Sequence, residues 1–243
     1  MSDYNIFAKY YDELMYDVNY EETGDFILEF ALKYGVAPPA LTVDLGCGTG
    51  KMCRYFSKKG FDMIGIDLSF EMLSVAKENT ADGRILYLNQ DMTDFELYGT
   101  VAMITCLTDG VNHITDSRLV KRMFGLAFNY LDYNGVFVFD INSEEKLANV
   151  MGNNVFYEIG DDVSYVWQSS YNKRSKICDF DLTFFIKNED GSYRKSEAFI
   201  REKVYLVEDL KKWLADVGFQ KIKVVKKGLR VYFICAKPNI LNK

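Results

Sequence analysis

Between residues 41 and 141 the chain repeats one pattern: a short apolar run of strand length, then a segment whose apolar residues recur every three or four positions. The first spacing belongs to strands, the second to helices buried along one face. Strands are predicted at 41–45, 61–67, 85–88, 101–107 and 135–141. Between them fall helices at 51–59, closed by Gly60; after Ser69, with Met72, Leu73 and Ala76 on one face; and from Asp116 or Ser117, carrying Leu119, Val120, Met123, Phe124, Ala127, Phe128 and Leu131. An earlier helix, from about 23 to 34, aligns Phe26, Ile27, Phe30, Ala31 and Tyr34 and is stopped by Pro38-Pro39. Strand-helix alternation with short connections implies a doubly wound, Rossmann-like α/β fold, its parallel sheet covered on both faces. The fifth strand is nearly all apolar, as such burial requires.

From about residue 150 the period shortens to two. Runs at 155–159, 163–169, 176–187 and 192–206 read as strands, with turn signals at Asp161-Asp162 and Asn188-Glu189-Asp190-Gly191. A small antiparallel segment, 149–206, is therefore predicted inside a domain formed by 1–148 and 207–243. Its aromatics, among them Phe156, Tyr157, Tyr165, Trp167, Tyr171, Phe180, Phe184, Phe185, Tyr193 and Phe199, predict an apolar sheet face. Because the segment follows the fifth strand, near where such sheets bind ligands, they are also candidate walls of a substrate pocket. A helix carrying Leu210, Trp213, Leu214 and Val217, ended by Gly218, and two strands at 219–225 and 229–236 close the chain. Lys221, Lys223, Lys226, Lys227 and Arg230 there predict a solvated hairpin.

Composition narrows the partners. A net charge of -6 disfavours non-specific binding to nucleic-acid backbones. No apolar run reaches membrane-spanning length, and the first residues, Met1-Ser2-Asp3-Tyr4-Asn5, lack a signal-peptide layout, so a cytoplasmic protein without a membrane partner is expected. The cysteines Cys47, Cys53, Cys106, Cys178 and Cys235 form no C-x-x-C pair and read as reduced, mostly buried thiols. His113, the single histidine, offers too little for a metal site.

The chemistry lies at strand ends. Gly46, Gly48 and Gly50 follow the first strand and open a helix, where glycine lets the backbone approach a nucleotide. A dinucleotide site would want G-x-G-x-x-G; here the spacing is G-x-G-x-G, with Lys51 where the third glycine would stand. Asp44 beside the loop would repel a pyrophosphate and favour an ammonium. S-adenosylmethionine carries an ammonium, a sulfonium and no phosphate. Asp67, ending the second strand, can accept hydrogen bonds from ribose hydroxyls, a contact that a nicotinamide cofactor would share. Asp91 and Met92, after the third strand, can meet an adenine edge and face.

These residues resemble the class I S-adenosylmethionine-dependent methyltransferases. The matching pieces are Val43-Asp44-Leu45-Gly46-Cys47-Gly48-Thr49-Gly50, Gly65-Ile66-Asp67-Leu68-Ser69 and Gln90-Asp91-Met92. The resemblance implies a seven-stranded, mostly parallel sheet whose last strand is antiparallel, and cofactor contacts from Asp44, Gly46, Cys47, Gly48, Gly50, Asp67, Leu68, Asp91 and Met92. The chain is similar, more closely, to a bacterial subgroup with the segments Phe7-Ala8-Lys9-Tyr10-Tyr11-Asp12 and Cys106-Leu107-Thr108-Asp109-Gly110-Val111-Asn112-His113-Ile114 and a β insertion after strand five. By that likeness Tyr11 closes over the cofactor, and Leu107, Thr108 and Asp109 line its methionine end. Methyl transfer is a direct displacement that needs mainly alignment, with a base only if the nucleophile arrives protonated. The candidate bases are Asp109 and His113. A small-molecule acceptor is expected; an RNA or protein acceptor, or a protein that binds S-adenosylmethionine without transferring its methyl, are the alternatives.

Overall fold

The structure, a computed structural model, describes residues 8, 10–12, 18–80 and 83–239. Phe7, Lys9 and most of the tyrosine-rich lead-in, including Tyr4, Glu13, Tyr16 and Asp17, lie outside the described residues.

Helix α1 (Tyr20–Lys33) starts three residues before the periodicity suggests, because Asn19 caps it by accepting the Glu22 N–H at 3.0 Å. The alternation then runs β1 (Leu41–Leu45), α2 (Lys51–Lys58), β2 (Asp62–Asp67), α3 (Phe70–Glu78), β3 (Leu86–Asn89) and β4 (Val101–Cys106). It continues through the short α4 (Gly110–His113), α5 (Ser117–Tyr130) and β5 (Leu131–Asn142). Ser69 caps α3 and Asp116 caps α5. A π-helical turn, Glu145–Val150, which no sequence signal announces, leads to β6 (Val155–Ile159), β7 (Val163–Asn172), β8 (Ile177–Lys187) and β9 (Tyr193–Lys203). α6 (Val207–Val217), β10 (Gln220–Lys227) and β11 (Arg230–Ala236) follow.

Seven strands form one sheet in the order β10-β11-β5-β4-β1-β2-β3. β1, β2, β3, β4 and β5 pair in parallel, while β11 is antiparallel to both β5 and β10. Strand order reverses between β1 and β4, and such a switch point opens a crevice at the carboxyl ends of the strands. Asp44, Asp67 and Cys106 are all carried to that edge. β6–β9 form a separate four-stranded antiparallel sheet.

Helices on both faces explain why the central strands are apolar throughout. One face packs Val43, Leu45, Ile104, Phe137 and Phe139 against Val120, Phe124 and Leu214. The other packs Met63, Met103, Val136, Val138 and Ile234 against Ile27, Phe30, Cys53 and Phe56. Phe139 and Phe233 are opposite each other across β5 and β11, both fully buried, with ring centroids 4.7 Å apart and planes 2° from parallel. All five cysteines are buried free thiols, as their apolar surroundings suggest. Among the described residues no helix is long and apolar enough to cross a membrane.

The Phe139–Phe233 stack locks the antiparallel strand onto the parallel ones. Truncation of Phe139 to Ala should lower unfolding free energy by about 3–5 kcal/mol, a loss that urea denaturation would measure.

Candidate active site

The glycine loop is tied down before any ligand is considered. Cys47, 8% exposed, gives its N–H to the Ile66 carbonyl at 3.0 Å, and the Gly50 N–H returns to the Cys47 carbonyl at 2.9 Å. Gly50 has φ +75°, and a Cβ there would lie 2.4 Å from Tyr87 Oη, so only glycine can make this turn into α2. Met92 sits over Gly46, its methyl 3.8 Å from where a Cβ would be, and its sulfur takes the Cys106 thiol at 3.9 Å.

Asp44 is 3% exposed. Thr105, its neighbour across β1 and β4, donates to Oδ1 at 2.7 Å, and the Cys53 thiol approaches Oδ2 at 3.7 Å. Burial dominates and pushes the carboxyl up to about 7, despite both hydrogen bonds. Asp67 accepts the Gly48 N–H on Oδ2 and the Ser69 N–H on Oδ1, both at 2.8 Å; each oxygen keeps a lone pair for a further donor. Burial raises it too. Leu68 beside it is exposed, and its carbonyl accepts from Asn89 Nδ2 at 2.8 Å. Asp91 is exposed, its Oδ1 taken by the Thr93 N–H and hydroxyl.

The N-terminal segment covers this loop. Asp12 accepts the Thr49 hydroxyl at 2.6 Å and pairs with Lys51 at 3.5 Å. Tyr11, Tyr20, Asp44, Gly46, Cys47, Gly48, Thr49, Leu107 and Thr108 then enclose only about 30 Å³. Burial, with Tyr20 and Asp109 nearby, pushes the Tyr11 phenol well above its usual range, leaving it neutral.

Beyond Leu107 the backbone is strained. Thr108 and Asp109 have φ of 55° and 63°, a conformation costly for a β-branched residue. Arg230 holds the loop: its Nη2 is 2.8 Å from Asp109 Oδ1, and its Nη1 bonds Asp140 Oδ2. Burial opposes the guanidinium charge, but Asp109 and Asp140 more than offset it and raise the group further. This corrects the expectation that Arg230 belongs to a solvated hairpin. The lysines nearby are also engaged: Lys226 with Glu145, Lys227 with Glu22, and Lys221 and Lys223 over the rings of Tyr34 and Phe30.

Asp109 also faces a second, larger space of about 800 Å³. It lies between the sheet edge and the antiparallel sheet, with walls from Phe156, Tyr165, Trp167, Phe180, Glu202 and Arg230. Asp109 and Glu202 each bring a carboxyl oxygen, and His113 a ring nitrogen, within 4.8 Å of one another; His113 Nε2 is 3.8 Å from Asp109 Oδ2. This grouping is invisible in the sequence, where only the Asp109–His113 spacing can be seen. Glu202, Asp140 and Arg230 are the residues that sequence reading misses. An acid inside the apolar run of β5 is a signal for Asp140; nothing local marks Glu202.

This set of acceptors suits a cationic nucleoside. Asp44 is a buried carboxyl without a cationic partner among the described residues, Gly46 and Gly48 leave room where a Cβ would stand, and Asp67 retains acceptor capacity at the end of β2.

Comparison with known proteins agrees. A family profile described as "Methyltransferase domain" matches residues 42–135. YqeM, a candidate methyltransferase of Bacillus subtilis (strain 168), is 32% identical over 89% of this chain and 86% of its own length. A crystal structure of an S-adenosylmethionine-dependent methyltransferase from Clostridium acetobutylicum ATCC 824 is 29% identical, with a TM-score of 0.84 over 97% of this chain and 99% of that one. The sugar N-methyltransferase KedS8 from Streptoalloteichus sp ATCC 53650 shares the fold at 18% identity, with a TM-score of 0.79 over 93% of this chain and 92% of its own. The chain belongs to the S-adenosylmethionine-dependent methyltransferases. It is an enzyme whose cofactor is S-adenosylmethionine.

A carboxyl raised by burial binds its proton more tightly in the folded than in the unfolded chain. Its contribution to stability is therefore complete below the unfolded carboxyl range and is lost as pH rises through the folded value, about 7 for Asp44. The ligand-free enzyme should thus lose melting temperature between about pH 4 and pH 7. Asp44→Asn should flatten part of that slope in thermal melts. The same substitution should weaken S-adenosylmethionine about tenfold or more by calorimetry, since a charge-assisted contact is lost.

Proposed function

We propose that this enzyme methylates a small molecule held in the 800 Å³ space between the sheet edge and the antiparallel sheet. The observation that carries the reading is the position of that space: Asp109 lines it, while Leu107 and Thr108, directly before it in the chain, line the glycine-loop pocket. The volume falls within the range of small-molecule sites, and its aromatic walls are of the kind that grip a ring. The segment 149–206 would then serve as the acceptor-side subdomain. KedS8 is named as a sugar N-methyltransferase, so acceptors of that size are compatible with the fold.

In this reading Asp44, Gly46, Cys47, Gly48 and Gly50 hold the amino-acid part of the cofactor with Leu107. Asp67 and Leu68 hold its ribose, and Asp91 and Met92 its adenine. Tyr11, which lines the space beside Asp44 and Leu107, must give way to admit that amino-acid part, because about 30 Å³ holds little more than one water. When bound, the cofactor supplies a methyl carbon already activated by a sulfonium, so the chain's part is direct displacement by alignment. Asp109 and His113 face the acceptor. Asp109 is paired with Arg230 and positions the loop. RNA is disfavoured by the net charge of -6 and by the neutralised lysines of β10.

The test is a screen of small acceptors that reads S-adenosylhomocysteine. With an acceptor in hand, Trp167→Ala should lower kcat/KM by about tenfold, a buried aromatic contact being lost, while S-adenosylmethionine binding by calorimetry stays unchanged. Turnover indifferent to Trp167→Ala, or methyl transfer to RNA alone, would overturn the reading.

A further inference from the structure

Glu202 stands out among the groups that methyl transfer by alignment leaves unused. It lies on β9, in the antiparallel sheet, yet it is fixed to the parallel one. Lys146 Nζ donates to Asn142 Oδ1 at 2.9 Å, which turns the Asn142 amide so that Nδ2 donates to Glu202 Oε2 at 2.8 Å. Asn112 completes the frame: its Oδ1 accepts the Asn142 N–H at 2.9 Å, and its Nδ2 donates to the Lys203 carbonyl at 2.8 Å. Glu202 is 6% exposed and lines the large space; its Oε2 takes the Asn142 amide, and no hydrogen bond engages Oε1 among the described residues. That oxygen opens onto the space with its acceptor capacity free for a donor held there.

We propose that the acceptor is an organic amine, held as its ammonium against Glu202 Oε1. The inference rests on the reading of the 800 Å³ space as the acceptor site. Of the charged groups lining the space, Asp109 is paired with Arg230, Glu22 with Lys227, and Lys146 is spent on Asn142, which leaves Glu202; an alcohol would bring it one donor but no charge, whereas an ammonium brings both. Trp167, Tyr165 and Phe156 are on the walls, and aromatic rings attract organic cations. The indole N–H of Trp167 has no acceptor among the described residues.

The arrangement also meets the chemical need. An ammonium nitrogen has no lone pair and cannot displace anything. Its proton passes to Glu202 Oε1, the N–H electron pair stays on nitrogen, and the resulting amine is the nucleophile. Burial first, then the charge of Asp109, raises the Glu202 carboxyl toward the range where it can receive that proton, against the opposing effects of His113, Asn142 and Lys146. Cys178, its partner across β8, and Arg230 complete the polar surroundings.

The test uses the full chain with Trp213→Phe, so that Trp167 is the only tryptophan, saturated with S-adenosylhomocysteine. Cyclohexylammonium and cyclohexanol, equal in shape, are titrated against Trp167 emission. The ammonium should bind about tenfold or more tightly than the alcohol, as a charge-assisted hydrogen bond predicts. Near neutral pH its binding should release a proton, read by calorimetry in buffers of different ionisation enthalpy. Glu202→Gln should remove both the preference and the proton release, and Glu202→Asp should keep part of each. Equal binding of the two probes to the Trp213→Phe protein would overturn the proposal even if Glu202→Gln failed to fold. So would a preference that survives in a folded Glu202→Gln. If neither probe disturbs Trp167 while S-adenosylhomocysteine binds, the acceptor-site reading itself falls.

Discussion

Negative charge buried at the carboxyl edge of one sheet is the constraint around which this enzyme is built. Asp44 and Asp140 are almost completely removed from water, and Asp109 and Glu202 are nearly so. Isolated, each would carry a desolvation penalty that favours its neutral form. Arg230 answers two of them at once, and its place on the antiparallel strand β11 makes the terminal hairpin part of the site. The remaining carboxyls, Asp44 at the end of β1 and Glu202 on β9, find hydrogen-bond donors but no ion-pair partner among the described residues. A site that keeps unneutralised acids in place stores affinity for positive charge, and S-adenosylmethionine carries two cationic centres against one carboxylate.

The same arrangement explains the strained loop. Thr108 and Asp109 adopt left-handed backbone without glycine. The Asp109 N–H points toward Asp140 Oδ2 at 3.4 Å while its carboxylate pairs with Arg230, so backbone and side chain are held from two directions. Such strain persists only where the surroundings over-determine it. Here it places Thr108 on one pocket and Asp109 on the other, the partition that the proposed displacement between two ligands would use.

What the sequence reveals divides along the same line. Asp44, Gly46, Gly48 and Gly50 are legible because strand, turn and helix are contiguous, and each residue type has a local reason to be there. Asp67 is legible because it ends an apolar run. The sheet order follows from alternation and short connections. Arg230 is not legible: 90 positions separate it from Asp140, and its neighbours in the chain, Lys226 and Lys227, are exposed pairs that disguise it. Glu202 is hidden for a related reason. In an alternating strand a glutamate reads as solvated, and only the packing of β9 against α4 and the end of β5 buries it.

That packing bears on why the antiparallel sheet exists in this chain at all. Its apolar face, Phe180, Leu182 and Phe184, is covered partly by Leu147 from the π-helical turn and by Met72 and Val75 from α3, the helix that Asp67 and Ser69 introduce. Ala8, Tyr10 and Tyr11 join the same cluster. The strands that wall the large space therefore rest on the elements that frame the small one. A displacement of Tyr11 to admit the cofactor would alter packing against the antiparallel sheet, and a molecule in the proposed acceptor site, against Trp167, would press on the cluster that α3 shares. Coupling of this kind needs no hinge; it follows from two pockets sharing one hydrophobic cluster, in which side chains cannot move independently because the interior is close-packed.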